Sequence, residues 1–473
     1  MSLAVKSPIL KFCVVFCSSL LLVSCSSNPI SGIGNIFGGG GGGDSDDDGL
    51  DDEGRIPVLA LDDIVRADDR FADLEITTPP AYVNASWPQP GGEADHTLHH
   101  LSSALDFDVK WSADVGTASE RLARLTSPPV IADGRVFVVD AESKVSAYNL
   151  EDGERLWRTK LTEDVSEKFK VREIFQKPKA SDKGFGGGVS YESGKVFVTS
   201  GFGFVAALDA ESGEELWKTD TDLPIRTPPT AYRGQVYLTT ITNDFQVFDQ
   251  ESGEQLWNHQ SFEEAARILS SSSPAASGDL VVAPFSSGEV VAFQTDNGRA
   301  VWRDTLTKNS QLTSLSTLND IAGSPVIDRG LVYAVSHAGQ LVAIDIRSGE
   351  RVWEVAVTGL QMPWVAGDFI YLVSVDSELV CVSREHGAIV WVSNLQKHEN
   401  AKKKKGRISW AGPVLVGDHL VLVSTHGQLI KVTPDDGTVV GKKKISGGSV
   451  VPPVVADEKL FVLTEKGKLL AMQ

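Results

Sequence analysis

Three histidines crowd one short stretch of this chain, His96, His99 and His100 in HTLHH. Imidazoles at such spacing hold a transition metal when a further donor completes the shell. The stretch lacks the fourth ligand of a recognisable metal motif, so the three read as polar or capping residues of a segment that precedes the main fold. There is no G-x-S-x-G, no phosphate-binding glycine loop and no paired-cysteine motif. The run GFGGG (184–188) is not set between a strand and a helix, and reads as a flexible entry into a repeat. The expectation is a protein without a catalytic residue, metal or cofactor.

Cysteine carries one other kind of chemistry. Lys6 and Lys11 precede an apolar run from Phe12 to Val23 that is too short to span a bilayer, the pattern of a secretory signal at residues 1–24. The run ends in Leu22-Val23-Ser24-Cys25, which resembles the bacterial lipobox. That resemblance implies cleavage before Cys25 and its lipidation. Burial contributes about 0.8 kcal/mol per CH₂, so several acyl chains make a lasting anchor. Ser26 after the cysteine implies, by the same resemblance, sorting to the outer membrane. Cys13 and Cys17 leave with the signal. Cys381 then stands alone, at a position where other repeats carry Ala or Val, and reads as core packing.

The framework that must position any such group is repetitive. Six segments share eleven residues: AYNLEDGERLW (147–157), ALDAESGEELW (207–217), VFDQESGEQLW (247–257), AFQTDNGRAVW (292–302), AIDIRSGERVW (343–353) and CVSREHGAIVW (381–391). A seventh, KVTPDDGTVVG (431–441), lacks the tryptophan. A spacing of roughly 40 to 50 residues is that of propeller blades or a solenoid. Alternating apolar residues before a polar turn with glycine mark a hairpin. The tryptophans on the returning strands, Trp157, Trp217, Trp257, Trp302, Trp353 and Trp391, read as plugs between neighbouring sheets, each indole N–H reaching a backbone carbonyl.

Two further strands precede each copy, as in SPPVIADGRVFVV (127–139) and TPPTAYRGQVYLT (227–239), making four per unit. Units begin near Ser127, Gly187, Thr227, Ser273, Gly323, Met362, Gly412 and Pro452. The last reaches Gln473 on its third strand, while FDVKWSADVG (107–116) holds a lone strand with Trp111. The fold class expected is therefore all-β, an eight-bladed β-propeller of four-stranded antiparallel blades spanning 106–473, its ring closed by the N-terminal strand so that neither partial blade keeps an open edge.

Residues 25–105 are expected to form a tether with a pre-propeller segment. Six glycines (38–43) lead into DSDDDGLDDEG, and residues 44–75 carry a net charge of −10 out of −19 for the chain. Such a stretch self-repels and buries no core. The part RIPVLALDDIVRADDRFADLEI (55–76) reads as a short helix or an extended strip on the propeller. An acidic chain without a basic face excludes nucleic acid as a partner. Lys402 to Lys405, in an insertion between the sixth and seventh blades, read as a solvated loop, with anionic lipid headgroups as the alternative.

The A-x-D-x-x-[ST]-G-x-x-x-W repeats resemble those of pyrroloquinoline-quinone-type β-propellers. Across 107–473 the chain is similar to the BamB family, lipoprotein subunits of the outer-membrane β-barrel assembly (Bam) machinery. Quinoprotein alcohol dehydrogenases share the eight-bladed ring, and a periplasmic quinone-dependent oxidoreductase is the enzymatic alternative. A generic envelope adaptor is the third. Those enzymes use adjacent disulfide-bonded cysteines and carboxylate and amide ligands to calcium, whereas the mature propeller here has one cysteine. The WD-repeat class does not fit, because no Trp-Asp dipeptide closes a blade.

The family resemblance implies a non-catalytic scaffold, lipid-anchored in the outer membrane and facing the periplasm. Its implied partners are a BamA-type barrel protein, bound through a POTRA domain, and other Bam subunits, with unfolded β-barrel clients as further candidates. The implied contact lies in loops around the fourth and fifth blades. In EAARILSSSSP (264–274), Ile268 and Leu269 would supply the apolar contact, with Arg267 before rather than after them. In LNDIAGSP (318–325), Asp320 is present and Ala322 stands where a second acid is expected. The outer strands of the blades offer a second kind of surface, since an extended partner can add to an open strand edge.

Overall fold

A period-two pattern broken by glycine turns folds each repeat into a four-stranded meander. In blade 1 the strands are Val130–Ala132, Arg135–Val139, Lys144–Asn149 and Arg155–Lys160, paired in that order. The first three are almost wholly buried, and the fourth, at the rim, is exposed at Arg155, Leu156 and Lys160 and half-buried between. Blades 2 to 8 repeat the arrangement and give eight four-stranded antiparallel sheets. The computed structural model describes residues 65–71, 73–120, 124–162, 186–263, 272–307 and 320–473, all within one compact unit, Ala60–Gln473. The signal segment, Cys25, the glycine-rich and acidic tether, and Arg267, Ile268 and Leu269 lie outside the described residues.

Blade 8 is built from both ends of this sequence. Val454–Ala456, Lys459–Leu463 and Lys468–Met472 are joined by Val109–Asp114, which pairs antiparallel with Lys468–Met472 and sets Trp111 opposite Ala471.

Each tryptophan faces a small residue across the hairpin: Ala147 for Trp157, Ala207 for Trp217, Val247 for Trp257, Ala292 for Trp302, Ala343 for Trp353, and Cys381 for Trp391. The small partner leaves room for the indole to cross the gap and lie beneath the turn glycine of the next blade. Gly213 shows why that residue is required. Its φ is +74°, and a Cβ there would come within 2.5 Å of Trp157. The indole N–H groups of Trp111, Trp157, Trp217, Trp302, Trp353 and Trp391 donate to carbonyls of the following blade at 2.7–3.2 Å. The Trp257 N–H alone among the seven has no acceptor within the described residues. The acid of the A-x-D motif holds the turn itself: Asp209 Oδ1 accepts from the N–H groups of Glu211 and Ser212 and from the Ser212 hydroxyl.

Residues before the ring follow the sequence expectation in part. Of the two alternatives for 55–76, the described residues fit a strip on the propeller, with one turn of 3₁₀ helix, Asp69–Phe71. It lies against blade 6, where the Asp68 N–H donates to the Ile389 carbonyl at 2.8 Å and the Phe71 ring stands 5.2 Å from that of His386. Residues 77–105, grouped above with the tether, pack into the ring and bury Trp87, Leu98, Leu101 and Leu105. Gly187 and Gly188, read as a flexible entry, instead start strand Gly187–Glu192. A Cβ at Gly188 would meet Ser127 and Pro228 at 2.5–2.6 Å, so they are held in close packing.

Candidate partner-binding surfaces

Antiparallel order assigns the loops to two faces. Turns between first and second strands and between third and fourth strands share one face. The remaining turns and the blade-to-blade connections share the other.

The first face is tied off by a strap. Asn84 Nδ2 donates to the Val455 carbonyl of blade 8 at 2.9 Å. Trp87 exchanges backbone hydrogen bonds with Ile131 of blade 1 at 2.7 and 2.9 Å. Tyr191 of blade 2 donates its N–H to Pro88, and Gln89 Nε2 donates to Ala231 of blade 3. The N–H groups of Ala276 in blade 4 and Ile327 in blade 5 then donate to the carbonyls of Ala94 and Asp95. Trp364 Nε1 of blade 6 donates to His99, Leu101 N–H to Leu415 of blade 7, and Ser103 Oγ to Glu458, back on blade 8. The strap meets all eight blades in order, and the rings of Trp87 and Trp364 lie nearly parallel, 6.3 Å apart.

The three histidines belong to this strap and are held apart. His96 is fully buried, and its Nδ1–H donates to the Pro325 carbonyl at 2.7 Å. Burial without a counter-charge holds its pKa down at about 4. His100 donates from Nδ1 to the Pro79 carbonyl at 2.7 Å, and its Nε2 accepts from the Asp418 N–H at 3.2 Å. His99 is half-buried, 3.8 Å from Asp328, and burial lowers its pKa. His96 and His99 reach blade 5 at separate points, Pro325 and Asp328, and His100 reaches Asp418 of blade 7. Among the described residues no group of His, Cys, Asp or Glu is arranged to hold a metal ion. Nearby, Arg384 pairs with Asp328 and donates through Nε to the Tyr333 hydroxyl at 2.6 Å, joining blades 5 and 6 below the strap.

On the opposite face the axis of the ring opens into a cavity of about 300 Å³ that ends on Pro90 and Gly91 of the strap. Its described lining includes Met362, Trp410 and Val451, with Arg124 as the single charged side chain and no acid, histidine or cysteine. A calcium-bound quinone needs carboxylate ligands, so the residues described here do not fit that cofactor.

The connections into blades 4 and 5 open on this same face. Asp320 does not stand out from it. It is 3% exposed, its carbonyl accepts the His337 N–H at 3.1 Å, and it lines a cleft of about 50 Å³ with Arg226, Asn243 and Ser272. Ile321 and Ala322 are buried beside it. So placed, Asp320 offers little surface for the contact that the family resemblance implies. Lys402 to Lys405 occupy a two-stranded hairpin, His398–Asn400 with Lys405–Arg407, all four exposed. The hairpin is pinned at its base, where Arg407 donates to the Val375 carbonyl at 2.7 Å and Lys397 pairs with Asp376. Cys381 is fully buried opposite Trp391, and burial raises its thiol pKa well above the usual value.

The strap and the Arg384–Asp328 pair were missed at the level of sequence, and the strip expected on the propeller was not assigned to blade 6. The excess of Trp87, Pro and Gly in 79–92 was the one available signal, since a solvated linker has no use for a tryptophan.

Comparison with known proteins gives three findings. The family model described as "Outer membrane protein assembly factor BamB" matches residues 103–175, 141–393 and 394–473. The outer membrane protein assembly factor BamB of Yersinia pestis is 27% identical over 363 residues, covering 76% of this chain and 87% of that protein. Among solved structures, BamB from Moraxella catarrhalis superimposes with a TM-score of 0.62 at 18% identity, over 76% of this chain and 99% of that one. A europium-containing methanol dehydrogenase does so with a TM-score of 0.61 at 14% identity, over 80% and 89%. At such identities both structural likenesses speak for the ring alone.

Proposed function

This chain belongs to the BamB family of outer membrane protein assembly factors, and from that premise we propose that it is a non-catalytic scaffold subunit of the β-barrel assembly machinery. The observation that carries the reading is a closed ring with one face tied by its own strap and the other without such a tie among the described residues. A scaffold needs a rigid body that presents loops, and the propeller supplies one. The lining of the axial cavity supports a scaffold over an oxidoreductase.

In this reading Cys25 is the lipidated residue, and the acidic stretch that follows is a spacer between the outer membrane and a propeller on its periplasmic side. The partner is a POTRA-containing barrel protein of the BamA type. Arg267, Ile268 and Leu269 supply its contact. Asp320, buried at the start of blade 5, acts as a support for that end of the connection.

Two experiments test the proposal. Mild-detergent purification of the chain from envelope membranes is expected to bring down a POTRA-containing barrel protein in near-stoichiometric amount; recovery without any such protein would defeat the assembly role. Metabolic labelling with palmitate is expected to mark the wild type and spare Cys25→Ser; equal labelling of both would reject the anchor.

A further inference from the structure

The outermost strand of a propeller blade has one unpaired edge, and proteins guard such edges with charge. Six of the eight blades do so here. Arg155, Arg158 and Lys160 lie on blade 1, Glu215, Lys218 and Asp220 on blade 2, and Arg303 and Asp304 on blade 4. Arg351 and Glu354 guard blade 5, three lysines blade 7, and Lys110 and Asp114 blade 8. Two outer strands carry no Asp, Glu, Lys or Arg: Ile389–Asn394 of blade 6, IVWVSN, and Gln255–Gln260 of blade 3, QLWNHQ.

The two differ in what covers them. On blade 6 the residues before the ring reach the start of the strand, Asp68 bonds to Ile389, Phe71 stands by His386, and Val390 is 7% exposed. On blade 3 the equivalent residue, Leu256, is 46% exposed, and Phe262 just beyond the strand is 68% exposed, the most of any large apolar side chain described. Among the described residues no backbone group pairs with the outer side of Gln255–Gln260. His259 adds no charge near neutral pH, because burial, and then the nearby Arg303, lowers its pKa.

We propose that the uncharged outer strand of blade 3, Gln255–Gln260 with Leu256 and Phe262, is a strand-addition site for an extended, uncharged segment with alternating apolar side chains. Blade 6 shows that such an edge takes a backbone partner, since the other uncharged outer strand in the ring accepts the Asp68 N–H of this same chain at the Ile389 carbonyl. Strand addition gives affinity through main-chain hydrogen bonds, and the flanking Leu256 and Phe262 select apolar side chains at alternate positions. A transmembrane β-strand before insertion has this chemistry, about ten residues of alternating polarity. The assignment rests on the assembly role proposed above and names its substrate class.

The probe is a capped ten-residue peptide alternating Val or Phe with Thr or Gln, added to the full chain. The readout is amide hydrogen exchange. Slowing of exchange in 255–260 by tenfold or more is expected, with residues 155–160 of the charged blade 1 edge unchanged. Grafting the blade 1 pattern as Gln255→Arg, Asn258→Arg and Gln260→Lys is expected to abolish the protection while leaving the melting temperature near that of the wild type. Should the graft unfold blade 3, Leu256→Thr with Phe262→Ser replaces it and is expected to weaken protection at least threefold. No protection, equal protection at 155–160, protection indifferent to the substitutions, or protection that grows with protein concentration in the absence of peptide would each overturn the site. The purification with a POTRA-containing protein is a separate measurement, so failure here leaves the assembly role standing.

Discussion

Lys431 stands directly opposite Gly441 in blade 7, where every other blade sets a tryptophan against a small residue. The exchange has a cause in the next blade. A tryptophan here would need a turn glycine on blade 8, but the outer two strands of that blade, 468–472 and 109–114, are far apart in sequence and no hairpin turn joins them. The space is used differently: the Lys431 ammonium lies 4.6 Å from the Phe107 ring centre and bonds to the Leu105 carbonyl.

Restoring the repeat consensus should therefore harm the protein. Lys431→Ala with Gly441→Trp is expected to lower the melting temperature, because the new indole has no glycine to lie beneath and Phe107 loses its cation. A rise in thermal stability by calorimetry would show that the missing tryptophan is an accident of drift.

The tryptophan and glycine of neighbouring blades should behave as one unit. Trp217→Ala is expected to destabilise by about 3 kcal/mol, the low end for a large aromatic since the ring is only partly buried. Gly253→Ala puts a Cβ within 2.5 Å of Trp217 at φ +71° and should cost roughly 1–3 kcal/mol from backbone strain, with the clash added. In the double variant the clash disappears, so a double-mutant cycle in urea should give a coupling of about 1 kcal/mol or more. Strict additivity would mean the two residues do not meet.

His96 predicts an acid-sensitive strap. Its folded pKa is about 4 against 6.5 for the free side chain, so the unfolded chain takes up a proton first as pH falls. Its contribution is therefore complete above about pH 6.5 and is lost progressively down to about pH 4, up to about 3 kcal/mol. Protection factors of the amides of residues 95–98, 326 and 327, corrected for intrinsic exchange, should fall across that window in the wild type and stay flat in His96→Gln. A wild type with flat protection factors between pH 7 and 4.5 would remove His96 as the cause.

Near the connections into blades 4 and 5, surface and support should separate. Ile268→Asp with Leu269→Asp is expected to weaken binding to the POTRA-containing partner by tenfold or more with the circular dichroism spectrum and melting temperature unchanged. Asp320→Arg places a longer cation in a buried position and should lower the melting temperature by several degrees. If Asp320→Arg melts like the wild type yet loses the partner, the aspartate is a contact after all.

These separations mark where the sequence was readable. The blades were legible because six of them repeat one local solution, a polar turn, a glycine and a tryptophan at fixed spacing, and Trp111 announced the closing strand by standing in a strand without a hairpin of its own. The strap was not legible. Its partners are mostly backbone carbonyls, which leave no side-chain signature, and one of its bonds joins residues 371 apart, Asn84 and Val455. The burial of Asp320 was illegible for a related reason, since a short motif in a connection has the same letters whether it faces solvent or the ring.

The strap also sets a clock on folding. Residues 84–103 are made before any blade, yet they bond to Ile131 in the first and to Val455 and Glu458 in the last. Contacts of such sequence separation form late, after local hairpins. The early blades can fold as they emerge, but the tied face must wait until blade 8 exists, and a chain halted before Val454 would carry a loose strap whose buried Trp87 and Leu101 are exposed for a quality-control protease to find.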